Sequence, residues 1–299
     1  MNKISVILIL SAGSLWGATG IFVRNLSELG LAPMEIVEIK SIATAILVIL
    51  FLLIRDKKLL LIKWKDLWCF VGTGILSLLL FNLFYFQAMT LTSLSIAVSL
   101  LYTSPVFVMI FSVFLFKEAV TKRKVFAVIS AFVGCLLVSG AVTGNSTLTG
   151  TGFAFGLGAG LCFALYSIFS RFAINKGYHP FTITAYTFIF TSIGGALFTD
   201  FNLVRQTYIN YTTEVVFNYL ILSVVITLIP YFLFTLGLVH IENSRAAVMV
   251  SVEPVVATLL GIFVFSEIPS LLSLLGMTLI ISAVAILNIQ RPSKIISNN

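Results

Sequence analysis

Glu253 and Lys40 are the residues of this 299-residue chain whose chemistry most needs an account. Both stand inside long apolar runs; Glu253 lies within AAVMVSVEPVVATLLGIFVF (246–265). An ionisable group in hydrocarbon is costly and reads as a binding, proton-carrying or charge-pairing residue. Glu253 is followed by Pro254, which has no N–H to donate and frees a carbonyl one turn earlier. A carboxylate beside a broken helix suits substrate or proton binding, and loss of water favours its neutral form. Pro105 is the matching kink in the first half, but Ser104 precedes it, so a site built on both kinks is chemically asymmetric. The alternative is a structural Glu253 paired with Lys40 or Arg245.

Lys40 falls seven residues past Pro33, about 10 Å into its helix. Ile36 and Val37 stand one turn behind it, so it either snorkels outward or takes a partner from another helix. Glu253 falls about 12 Å from the basic face, close to the midplane of a core about 30 Å thick. Trp16, Thr19, Asn82, Tyr85, Gln87, Tyr102, Tyr166 and Tyr231 surround these kinks in sequence. As a set they offer hydrogen bonds and cation–π faces to a zwitterion or an amine; for any one of them, packing is the alternative. Glu35 and Glu38 follow Pro33 in the first two turns, where the helix dipole favours anions, and are expected at the outer interface. Glu118 and Glu267 read as solvated helix-end charges.

No metal or cofactor chemistry is visible. Cys69, Cys135 and Cys162 lie in apolar runs without a CxxC, and His179 and His240 are far apart. There is no phosphate loop, no HExxH, no DDxxD-like pair and no GxSxG, which disfavours a membrane-embedded lipid-modifying enzyme. A passive channel would differ from a carrier in its unsaturable flux.

These residues need a scaffold, and composition names its class. The chain is 59% hydrophobic and 10% charged, with a mean hydropathy of +1.11. A soluble domain carries about 25% charged residues, so this is an all-α polytopic membrane protein without room for a nucleotide-binding domain. Ten apolar runs near 20 residues mark spans at 4–23, 33–54, 67–89, 94–116, 124–142, 151–171, 181–199, 214–237, 246–265 and 271–289. The first is retained rather than cleaved. The longest connector is 200–213. Fifteen Lys and Arg residues fall on one side of this arrangement and two, Arg24 and Arg205, on the other. That asymmetry puts both termini in the cytoplasm of a cell (plasma) membrane and explains the +7 net charge without nucleic acid. The Lys/Arg run 117–124 reads as a topology determinant first and a lipid-headgroup contact second.

The halves repeat. Pro33 and Pro180, Arg24 and Arg171, and Gly13 and Gly160 are each 147 apart; Tyr85 and Phe234, Pro105 and Pro254, and Glu118 and Glu267 are each 149 apart. Five spans per half make the copies inverted, with a substrate site near the midplane between them. Residues 4–142 form the first half, 151–289 the second and 290–299 a cytoplasmic tail. Gly13 and Gly17, and Gly152, Gly156, Gly160 and Ala164, form small-residue stripes for close helix approach, static or sliding.

The chain resembles the drug/metabolite transporter superfamily, specifically its ten-helix EamA-type branch, over about residues 5–289. The residues that carry the resemblance are Leu15-Trp16-Gly17, the Pro33/Pro180 pair, Ser104-Pro105-Val106-Phe107 ending at Lys117-Glu118, and Glu253-Pro254-Val255-Val256 ending at Ser266-Glu267. Lys40 stands where that family often has Arg, which removes bidentate chemistry there. The resemblance implies two inverted five-helix repeats and secondary transport, most often export of amino acids and related metabolites. Export of cationic drugs or quaternary amines is the alternative. The partners expected are a small-molecule substrate and membrane lipid, with monomer and homodimer both open.

Overall fold

The computed structural model describes residues 3–140, 149–266 and 268–288. Glu267, Arg291, Lys294 and the 290–299 tail lie outside the described residues. The helices are α1 (Lys3–Glu28), α2 (Pro33–Arg55), α3 (Trp64–Leu91), α4 (Leu94–Phe116), α5 (Lys122–Val138), α6 (Gly150–Asn175), α7 (Pro180–Phe198), α8 (Thr212–Leu238), α9 (Asn243–Val264) and α10 (Leu271–Asn288). Eight are long and apolar enough to cross a membrane; α5 and α10 are shorter, with 17 and 18 residues. At 1.5 Å per residue these two reach about 26 Å, less than a turn short of the hydrocarbon core. The 200–213 connector is not merely a loop: Phe201–Asn210 is helical, capped by Asp200, which accepts from Asn202 N at 2.9 Å and Leu203 N at 3.3 Å.

Local sequence sets the ends and the breaks. Pro33 and Pro180 open α2 and α7, where a missing N–H costs nothing. Ser93, Thr121 and Thr149 cap α4, α5 and α6 through their side-chain oxygens. Helix α1 breaks at Ala18, α4 at Tyr102–Thr103 and α9 at Ser251–Val252. The last two chains restart as helices at Ser104 and Glu253, with Pro105 and Pro254 one residue further on. The prolines therefore open new half-helices rather than bend continuous ones.

Exchanging the halves maps one set of contacts onto another. A Cβ added to Gly13 would lie 3.0 Å from the Val250 carbonyl and 2.9 Å from Val252; one added to Gly160, its counterpart, would lie 3.2 Å from the Leu101 carbonyl and 2.5 Å from Thr103. Residues 101 and 103 are the counterparts of 250 and 252. Thr44 donates to the Ser223 carbonyl at 3.2 Å, and Thr191 to the Gly74 carbonyl at 3.1 Å, again matched in both partners. Helices α4 and α9 both end in a left-handed residue, Lys117 (φ 55°) and Ser266 (φ 54°), whose N–H returns to Ser112 and Gly261. Wide π-helical turns occupy Gly72–Leu79 of α3 and Val224–Leu228 of α8, overlapping at the same offset. The fold thus has a pseudo-two-fold relation between five-helix halves.

The central core draws on both halves, with Ile9, Trp16, Leu78, Phe188, Phe234 and Met249 in one buried cluster. Outside, Ile54, Leu197 and Phe263 are more than four-fifths exposed, an apolar surface suited to lipid tails. The three cysteines are buried and free.

Candidate functional site

A cavity of about 40 Å³ opens where the broken helices α4 and α9 face α1, α6 and α8. It has room for about three waters. Trp16 lines it from α1, Tyr102, Ser104 and Pro105 from α4, Phe163, Tyr166 and Ser167 from α6, Tyr231 and Phe234 from α8, and Ser251 and Glu253 from α9. The first residues of both restarted half-helices, Ser104 and Glu253, stand on its wall, so two helix N-termini with their positive dipole ends converge there.

Tyr231 is the hub of the aromatic wall. Its ring lies 4.9 Å from Trp16, 5.0 Å from Tyr166 and 5.1 Å from Phe188, each edge to face. Tyr166 shares a hydrogen bond of 2.9 Å with Thr235, which donates to the Tyr231 carbonyl at 2.8 Å, so the phenol is fixed in place. The Trp16 indole N–H is buried with no acceptor among the described residues. Glu253 is half-buried and opens into the cavity. Among the described residues no ion pair joins it to Lys40 or Arg245. Arg245 instead meets Glu242 at 2.9 Å, and Lys40, half-buried on α2, is not part of the cavity wall.

The structure brings together part of the set expected from sequence. Trp16, Tyr102, Tyr166, Tyr231 and Glu253 face the cavity, with Pro105 on its wall and Pro254 buried beside it. Thr19, Asn82 and Tyr85 do not. Ala18 breaks α1 before Thr19, the Asn82 amide donates back to the Leu78 carbonyl at 2.6 Å, and the Tyr85 ring stacks on Phe81 at 5.7 Å. Their repeat counterparts Tyr166, Tyr231 and Phe234 are the ones that reach the cavity. Gln87 is exposed. Glu35 and Glu38 are buried within the protein.

A second polar cluster was missed in sequence. Glu118, expected in solvent, has a side chain only 8% exposed. Its carboxylate accepts from Asn243 N at 2.8 Å, from Ser244 N at 3.4 Å and from the Ser244 hydroxyl, so it caps α9 from the other half. Lys124, equally buried, reaches Glu118 at 3.5 Å and Glu242 at 2.9 Å. Arg171 donates to the Asn243 side chain at 2.7 Å and to the Ile241 carbonyl. A helix N-terminus without its own capping side chain, at Glu242-Asn243, is the only signal for this.

Two five-helix halves related by a pseudo-two-fold, with paired helix breaks around a small, largely aromatic cavity, define a polytopic membrane carrier rather than an enzyme. The chain belongs to the EamA-like transporter family, which matches it over residues 3–140 and again over 150–289. Relatives include an uncharacterized transporter of Archaeoglobus fulgidus, 30% identical over 71% of this chain and 75% of that one, and a second from the same organism, 26% identical over 88% and 90%. The uncharacterized transporter YxxF of Bacillus subtilis is 26% identical over 72% of this chain and 68% of its own. A protein of known crystal structure shares the fold, with TM-score 0.79 at 19% identity over 96% of this chain and 97% of the other.

Proposed function

We propose that this transporter is a secondary carrier that moves small amino acids or related polar metabolites by alternating access. The observation that carries this is the Glu253 carboxylate opening into an aromatic cavity where two half-helix N-termini meet. A cargo ammonium group is matched by Glu253 and the faces of Tyr231, Tyr166 and Trp16. A cargo carboxylate is matched by the N-terminus at Ser104 and the unused Trp16 indole N–H. Together these support a zwitterion.

In this reading the halves 4–142 and 151–289 are the moving bodies, and their small-residue stripes at Gly13 and Gly160 are the bearing surfaces. The termini are cytoplasmic in the plasma membrane, with export exchanged for protons at Glu253. The whole cavity lies within one chain, so a monomer suffices and a homodimer is the alternative.

A second reading, export of cationic amines, is favoured by the absence of Lys40 from the cavity wall. Counterflow in proteoliposomes, with a mixed panel of amino acids and amines, separates the two. Saturable exchange of a few zwitterions, with pH dependence lost in Glu253→Gln, supports the first reading. Exchange of amines alone supports the second. Unsaturable flux rejects both.

A further inference from the structure

Glu38 is 1% exposed, and neither of its carboxyl oxygens has a hydrogen-bond partner. It sits on α2 against α7 in the space that a side chain at Gly195 would fill. Glu35, one turn earlier, is 6% exposed; its Oε1 accepts from Asp200 N at 3.1 Å and its Oε2 has no partner.

The charged and titratable groups of the neighbouring elements are engaged elsewhere or point elsewhere. From α8, the Tyr219 hydroxyl donates to the Glu35 carbonyl at 3.5 Å, while Glu214 is exposed. On α1, Arg24 and Glu28 meet each other at 3.2 Å. On α7, Tyr186 donates to the Leu60 carbonyl at 2.7 Å. On α3, Asp66 pairs with Lys176 at 2.6 Å and Tyr85 stacks on Phe81. Lys40 is two residues on, about 200° around α2. No ion pair or hydrogen bond reaches Glu38 among the described residues.

An ionised carboxylate left without donors inside a membrane protein costs far more than the neutral acid. A metal would need more ligands, and among the described residues no three His, Cys, Asp or Glu side chains converge. We propose that Glu38 is a second proton-binding site of this carrier, separate from Glu253, loaded in this conformation. It empties when α2 shifts against α7 and the carboxyl meets water: the O–H bond breaks, the electron pair stays on the carboxylate and the proton passes to water. The transport role rests on the carrier reading; the bound proton does not.

Infrared difference spectra of the purified protein in nanodiscs at pH 7, in H₂O and D₂O, test it without any cargo. The expected result is a protonated-carboxyl band that shifts in D₂O and is lost in Glu38→Gln but kept in Glu253→Gln. Loss of ionised carboxylate bands alone in Glu38→Gln overturns the proposal. So does a wild-type Tm that rises in sodium chloride over choline chloride while that of Glu38→Gln does not, which makes this a cation site. Should Glu38→Gln fail to fold, wild type treated with dicyclohexylcarbodiimide gives the answer by peptide mass spectrometry: an adduct on Glu38 at pH 7 supports the bound proton, and an unmodified Glu38 rejects it. Counterflow failing while the band is present rejects only the carrier reading.

Discussion

The hydroxyl of Thr191 on α7 lies 3.1 Å from the carbonyl of Gly74 on α3 and 2.8 Å from the carbonyl of Thr187 on its own helix, so its one proton is shared between the two helices. Gly74 lies inside a wide turn, where the ordinary i→i+4 pattern is displaced. Thr191→Val keeps the shape and removes the shared proton. The expected loss is about 0.5–1.5 kcal/mol, read as a lower Tm of the purified protein. Thr191→Ser should stay close to wild type; equal losses in both would make packing, not the hydroxyl, the cause.

Helices α5 and α10 cross at glycine on glycine. A Cβ on Gly276 would lie 2.5 Å from the Gly134 carbonyl, and one on Gly134 would lie 2.7 Å from the Gly276 carbonyl. Both obstacles are backbone and cannot swing away. Gly276→Ala should therefore cost about 1–3 kcal/mol by overpacking, and Gly276→Leu should disperse the purified protein on size exclusion. An unchanged Tm in Gly276→Ala would show that this crossing is loose.

Removing Glu118 does two things at once: it uncaps α9 and leaves Lys124 buried with Glu242 alone. Glu118→Ala should cost roughly 3–5 kcal/mol, as for a broken buried pair. Glu118→Gln retains an acceptor for the N–H groups of Asn243 and Ser244 and should lose less. Thermal unfolding of the two variants side by side gives the order, and a reversed order would refute the capping role.

His179 caps α7: its Nδ1 accepts from Phe181 N at 3.2 Å. Loss of hydration holds the imidazole below its usual range, so the folded state binds fewer protons than the unfolded one in that window. The contribution is complete above the unfolded value near 6.5 and is lost as pH falls through the lower folded value. Tm should fall as the pH drops below about 6.5 in the wild type. His179→Asn, which caps without titrating, should flatten that part of the profile. Parallel profiles in the two proteins would dismiss the effect.

The spans and the repeat were legible because hydropathy and a 147–149 offset are properties of the chain itself. Pro33 marked a helix start for the same local reason, whereas Pro105 and Pro254, read as kinks, open new half-helices. Side-chain direction was not legible: whether Asn82 or Tyr231 reaches the cavity depends on wide turns that no residue type announces. Glu118 was misplaced, and the burial of Glu38 was not foreseen, because their surroundings come from distant segments, Asn243–Ser244 for one and Gly195 for the other. The Phe201–Asn210 helix was missed because it is short and polar, although Asp200 ahead of it is an ordinary cap.

The wide turn at Val224–Leu228 also sets an angle. Each such turn takes in one residue more than an α-turn, and one residue on a helix is worth about 100° of rotation. Everything downstream on α8, beginning with Pro230 and Tyr231, is therefore aimed by that extra residue. Deleting Val225 would preserve the helix, its length within about 1.5 Å and every side chain after it, yet would swing Tyr231 off Trp16 and Tyr166. Which rings face the cavity is thus set partly as phase along a helix, and a single-codon deletion would change it without changing one residue of the wall.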